Sequence, residues 1–269
     1  MIVIALLLAT IGVADLARER FRGPRGIVTG GILGLAVAVL GTLGTGITWG
    51  WMLALAAALV AWQALTDYRA KPHVGYWPLA LLAATVAAAW AFLRVDATPD
   101  STLVSWYEAL PYALPGTVTF DTFALGLGGV LVLFETANVI VRIVLPSEKK
   151  QAVVDAAPAA APAARRRRWL LGRAQVGASA TPAPVADAEL APLKGGRMIG
   201  PLERLFILAL ALAGQFTAIG AVIAAKGIIR FPEISKDDAG GSKAEYFLVG
   251  SFASWALVLA VAVLLQLGA

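Results

Sequence analysis

Apolar residues run along this chain in long unbroken blocks, and the charges gather between the blocks. From Gly26 to Thr66 there are 41 residues without Asp, Glu, Lys or Arg. As one helix that stretch would measure about 62 Å, twice the roughly 30 Å of a bilayer's hydrocarbon core. It must therefore cross twice. The turn belongs between Gly41 and Trp51, where Gly41, Gly44, Gly46 and Gly50 permit a tight bend and Trp49 and Trp51 suit a headgroup boundary. Extended along the chain, the same reasoning predicts seven spans, at Ile2 to Ala17, Ile27 to Gly46, Thr48 to Thr66, Tyr76 to Leu93, Phe120 to Leu145, Leu205 to Ala225 and Tyr246 to Leu267.

The composition agrees. The chain is 59% apolar and 14% charged, whereas a soluble chain has roughly 45–50% and 25%. The first block is short, and a cleaved signal peptide is its alternative, with a surface-lying segment and six spans as a further one. A signal peptide carries its positive charge before the apolar run. Here Arg18, Arg20, Arg22 and Arg25 follow it, which is the order of a helix that inserts with its N-terminus outside. With seven crossings counted from there, 17 of the 22 basic residues fall inside and Arg94, Lys226, Arg230, Lys236 and Lys243 outside, so the C-terminus is expected inside.

Between Pro146 and Gly200 the chain turns to alanine and proline with no sustained apolar period, the composition of a disordered cytoplasmic linker. Arg165, Arg166, Arg167 and Arg168 precede Trp169 and Leu170 there, a basic cluster suited to anionic lipid headgroups or to fixing topology as a solvated run. One short cluster beside a membrane is not the basic domain face that nucleic-acid binding requires. The chain therefore divides into a five-span region over 1–145, the linker over 146–199 and a two-helix membrane hairpin over 200–269.

Little in the sequence points to catalysis. With no cysteine, disulfides, thiolate metal sites and a cysteine nucleophile are excluded, and the single histidine, His73, lies in a short loop without a second metal ligand. Gly126, Gly128 and Gly129 lack the Gly-Lys-Ser/Thr signature of a phosphate loop, so neither a metal nor a cofactor is implied.

Polar residues at depth carry more information, because a charge near the bilayer centre costs at least about 2.5–3.5 kcal/mol on insertion scales. Glu135 stands past the middle of the fifth span, with Asn138 and Arg142 on the same face at i+3 and i+7. Two turns of rise put Arg142 about 10 Å away, too far for an intimate pair. Gln215 is central in the sixth span, and Glu135 and Gln215 are expected to face each other inside the bundle. Asp15 reads as a boundary residue beside Arg18.

Small residues recur every four positions in two places. One set is Gly30, Gly34, Ala38, Thr42 and Gly46; the other is Ala209, Ala213, Thr217, Ala221 and Ala225. Each suits close helix packing in lipid. In the long outer loop Leu103, Trp106, Tyr107 and Leu110 share one helical face, with Asp100 or Ser101 as N-cap, which predicts a short interfacial helix or a lid.

The run from Gly200-Pro201-Leu202-Glu203-Arg204 through Lys226-Gly227-Ile228-Ile229-Arg230-Phe231-Pro232-Glu233 to Ala244-Glu245-Tyr246-Phe247 resembles the C-terminal helical hairpin of bacterial multi-pass membrane families of unknown function. The resemblance covers about a quarter of the chain, departs at Gly227, where those families often carry Ser, and implies a membrane fold without an activity. Read physically, Lys226 and Arg230 share a face at the end of span six and Glu245 opens span seven, so an ion pair across the outer boundary is expected. An anion site formed by the two bases is the alternative.

The expectation is thus an all-α polytopic transmembrane bundle of about seven spans in a bacterial inner membrane. It would serve as a non-enzymatic component or accessory subunit, with the lipid bilayer, a membrane-protein partner or a second copy as its company. A small-solute or proton-coupled transporter using Glu135, Gln215 and Lys226 is the rival.

Overall fold

A computed structural model describes residues 1–21, 23–66, 75–92, 95–111, 117–145, 196–234 and 242–268. Every described regular element is a helix. These are α1 (Ile2–Phe21), α2 (Pro24–Thr45), α3 (Gly50–Thr66), α4 (Trp77–Phe92), the short α5 (Thr102–Glu108), α6 (Phe120–Val144), α7 (Gly196–Leu212), α8 (Phe216–Ile234) and α9 (Ser242–Gly268). Three of them, α2, α6 and α9, are long and apolar enough to cross a membrane, and α3 and α4 are shorter apolar helices. Met1–Leu145 and Met198–Ala269 form one compact unit. The expected linker, including Arg165 to Arg168, and the loop holding His73 lie outside the described residues.

The shortest predicted span becomes the centre of the fold. Thirteen residues of α1 are buried, from Ile2 to Ala17, and α1 packs against α2, α3 and α6. Ile2 to Leu8 are buried without a break, and beyond them Ala9, Val13 and Leu16 leave one half-buried face. Small residues make the packing possible. A Cβ on Gly30 would stand 2.6 Å from the Ala14 carbonyl oxygen, and one on Gly128 would stand 2.6 Å from that of Ala5. No side chain fits at that separation, so α2 and α6 approach α1 backbone to backbone. The α2 stripe is accordingly buried at Gly30, Gly34, Ala38 and Thr42. Gly46 then closes the helix in the left-handed region, φ 66°, inside the predicted turn.

The sixth predicted span is two helices. Gly214, at φ 70°, ends α7: its N–H donates to the Ala211 carbonyl and the Gln215 N–H to that of Leu210, 3.1 and 2.8 Å. Those two bonds are the Schellman pattern that stops a helix at a glycine. The chain then reverses into α8, and Lys226 Nζ comes to 2.8 Å from the Glu203 carboxylate. The C-terminal region is therefore three helices, and the expected two-helix hairpin is replaced by α7 and α8 joined tightly, followed by α9. The two sides also change. The start of α1 and the end of α9 meet at one end of the bundle, where the Met1 amine is 3.6 Å from Asp121 and the Thr122 hydroxyl donates to the Gly268 carbonyl at 2.8 Å. Termini on opposite sides of a bilayer are incompatible with that contact.

In the outer loop, α5 forms with Ser101 at its N-cap, although the serine side chain makes no cap hydrogen bond. Tyr107 is buried, donates to the Val118 carbonyl at 2.9 Å and stacks on Phe123 at 4.9 Å between centroids. Leu103 reaches the backbone of Gly44. Those contacts dock α5 on α2 and α6 at the end where α1 begins, while Trp106 stays exposed.

Candidate functional site

Halfway along α6 the backbone widens into a π turn, Val132–Thr136, and the Ala137 N–H reaches back five residues to the Val132 carbonyl. A close approach coincides with the wide turn. A Cβ on Gly12 of α1 would stand 2.9 Å from the Leu131 carbonyl carbon and 3.1 Å from the Val132 nitrogen. Wide turns loosen the i to i−4 ladder and leave carbonyls available to other donors.

Arg204 of α7 takes those carbonyls. It is 4% exposed. Its Nη1 donates to the carbonyls of Leu133 (3.2 Å) and Phe134 (3.3 Å) and to Asn138 Oδ1 (2.7 Å), and its Nε donates to the Ser254 hydroxyl of α9 (2.7 Å). One guanidinium thus ties three helices together, using the fork of donors that lysine lacks. The chain of bonds continues outward: Asn138 Nδ2 donates to Glu135 Oε2 at 3.2 Å, and Arg142 Nη2 pairs with Glu135 Oε1 at 3.1 Å. Below Arg204, Glu203 accepts from Lys226 Nζ and, at 3.2 Å, from Trp255 Nε1, and the Lys226 ammonium lies 5.7 Å from the Trp255 ring centroid.

On the opposite face of the π turn, Asp15 of α1 is 1% exposed and accepts from Trp62 Nε1 of α3 at 3.0 Å. Its second oxygen faces the hydroxyl of Thr136, and neither has a further hydrogen-bond partner. Arg18, one turn on, holds the Thr66 hydroxyl and carbonyl, both at 2.9 Å, and acts on Asp15 through space.

Several sequence expectations move. Glu135 is buried and meets Asn138 as expected, and it pairs with Arg142 after all, because a long side chain folded back along the helix covers two turns of rise. Gln215 sits exposed at the α7–α8 turn, outside α6's network, since Gly214 ends the helix just before it. Lys226 meets Glu203 in place of Glu245, because the reversal at Gly214 carries α8 back alongside α7. Glu245 and Arg230 are exposed. Asp15, expected at a boundary, is one of the most buried charges in the fold.

Arg204, Glu203, Trp255 and Trp62 were absent from the sequence-derived sites. In the sequence Arg204 reads as one of the basic residues that flank the sixth predicted span. Its only sequence signal was a charge one turn inside an apolar helix. No protein family, curated protein or solved structure matches the chain.

Proposed function

We propose that this chain is a non-enzymatic, multi-pass component of a bacterial cytoplasmic membrane, acting as an accessory subunit through the outward face of α7 and α8. The observation that carries the reading is the saturation of charge around the π turn. Arg204, Glu135, Arg142, Glu203 and Lys226 all spend donors or acceptors on one another, on Ser254, Asn138 and Trp255, or on carbonyls. Such a network fastens helices together. Meanwhile α7 and α8 carry exposed Phe206, Phe216, Ile228, Ile229 and Phe231, a surface for lipid tails or for a neighbouring membrane helix.

In this reading eight helices cross, α7 and α8 among them, and α5 lies at one boundary. Among the described residues, Arg18, Arg20, Arg25, Arg142, Lys226 and Arg230 stand toward the end where α1 finishes, whereas Asp96, Asp100, Glu108 and Asp121 stand toward the other. The positive-inside rule turns the basic end to the cytoplasm and leaves both chain ends outside. The resemblance of the C-terminal run to uncharacterised multi-pass families supports the membrane fold and no activity.

In-membrane crosslinking of a tagged copy at native expression, with mass spectrometry of what remains attached, tests the subunit reading. A stoichiometric partner joined through α7 or α8 is the expected result; self-crosslinks alone, or none, reject it. A proton-coupled transporter is the second reading, and the buried Asp15 carboxylate is the observation that favours it.

A further inference from the structure

The network around Arg204 is closed, but the opposite face of the same π turn is not. There Asp15 Oδ1 and Thr136 Oγ1 are both buried and face each other, with no further hydrogen-bond partner for either. Asp15 stands about 21 Å along α1 from its start, well inside a hydrocarbon core of about 30 Å if α1 crosses. A carboxylate at that depth needs a positive partner. The charged side chains around it act on it through space and bond elsewhere: Arg18, one turn on, holds Thr66, and Glu135 of α6 holds Asn138 and Arg142. From α3 the Trp62 indole, a neutral donor, bonds to Asp15 while Gln63 lies beside Gly30, and α2 meets this stretch of α1 with the bare backbone of Gly30 and Gly34 against Ala14.

We infer that Asp15 and Thr136 form a binding site for one small monovalent cation, a proton or a sodium ion, between α1, α3 and α6. A proton would sit on Asp15 Oδ1 and be donated to Thr136 Oγ1; sodium would draw on the same two oxygens. Either puts a positive charge directly on the carboxylate, which Arg18 reaches only through space, and the Trp62 bond holds the carboxylate so that Oδ1 faces Thr136. The π turn presents Thr136 there while its other face is held by Arg204, so ion occupancy and the seating of α7 act on the same five residues. The inference rests on no partner for the chain and survives if the subunit reading fails.

The test uses the full chain in lipid nanodiscs and compares wild type with Asp15→Asn, which keeps an acceptor for Trp62 and replaces the oxygen facing Thr136 with an amide donor. Proton uptake is counted between about pH 5 and about pH 9, where exposed carboxyls stay ionised. Thermal unfolding is followed in sodium, potassium and choline chloride. If the ligand is a proton, wild type takes up about one more proton per chain in that window than Asp15→Asn. If it is sodium, the unfolding midpoint of wild type rises with sodium and not with choline, and Asp15→Asn loses that rise. Equal proton counts together with equal salt responses overturn the inference. Should Asp15→Asn fail to assemble, Thr136→Val removes the facing hydroxyl at constant volume. A several-fold change in sodium or proton affinity supports the site, and unchanged affinity rejects it.

Discussion

The two stripes of small residues share a four-residue spacing and meet opposite fates. On α2, Gly30, Gly34 and Ala38 are buried against α1. On α7 and α8, Ala209, Ala213, Thr217, Ala221 and Ala225 are all exposed, and the helix break at Gly214 splits the set. Spacing makes a face, and a partner makes it an interface. The α2 stripe has a neighbour in α1 whose carbonyls come within reach, and it uses glycine where that approach is closest. The second stripe is built on alanine, and among the described residues nothing approaches Gly220 or Gly227 within 4 Å of where a Cβ would stand. The C-terminal helices add the polar bonds of Arg204 to an apolar cluster with α6, where α1 and α2 meet backbone to backbone.

Removing the polar clasp should therefore have the largest effect. Arg204→Ala leaves the Leu133 and Phe134 carbonyls, Asn138 and Ser254 without their donor, and is expected to cost about 3–5 kcal/mol, as for breaking other buried charge networks. Limited proteolysis should then cut α7 and α8 well before the N-terminal helices. Arg204→Lys should recover only part, because an ammonium has no fork to span carbonyls, amide and hydroxyl together. Proteolysis at equal rates in both regions would mean that the clasp does not hold the C-terminal helices.

Much of the N-terminal half was legible in the sequence. The charge-free stretch from Gly26 to Thr66 is too long for one helix across a bilayer, and α2 and α3 flank a turn at Gly46 as its glycines imply. The sixth span was misread for a physical reason. Arg204 and Lys226 bracket 21 residues without a charge, the length of one crossing, so charge and length together read as a single span. The signal was Gly214 itself, followed by the one amide side chain in the run. Asp15 and Arg204 escaped because sequence gives distance from a span's end, and burial is decided by which helices surround it. The central place of α1 is set by α2, α3 and α6 together.

Next in size is the glycine contact. Gly30→Val drives a side chain into the Ala14 carbonyl and should lower stability by about 1–3 kcal/mol in detergent unfolding. The matched change on the other stripe, Ala221→Val, should stay within about 0.5 kcal/mol of wild type. A loss at Ala221 as large as that at Gly30 would show that a partner or second copy occupies the α8 face. Smaller still is the tie between α7 and α8. A double-mutant cycle with Glu203→Gln and Lys226→Met should give a coupling of about 1 kcal/mol, typical of interhelical polar pairs in membranes. A coupling near zero would leave Gly214 alone to set the reversal.

Between Val132 and Thr136, α6 carries one residue more than its hydrogen bonds would need in a regular α-helix. Deleting any one residue there would let the ladder close at its usual spacing. A deletion at Thr136 would move Asn138 and Arg142 from i+3 and i+7 to i+2 and i+6 of Glu135, off the face they now share with it. The junction of the two halves is therefore sensitive to chain length as well as to residue identity. Deleting Leu133 or Phe134, which removes no polar side chain, would still take away a carbonyl by which Arg204 ties α7 to α6.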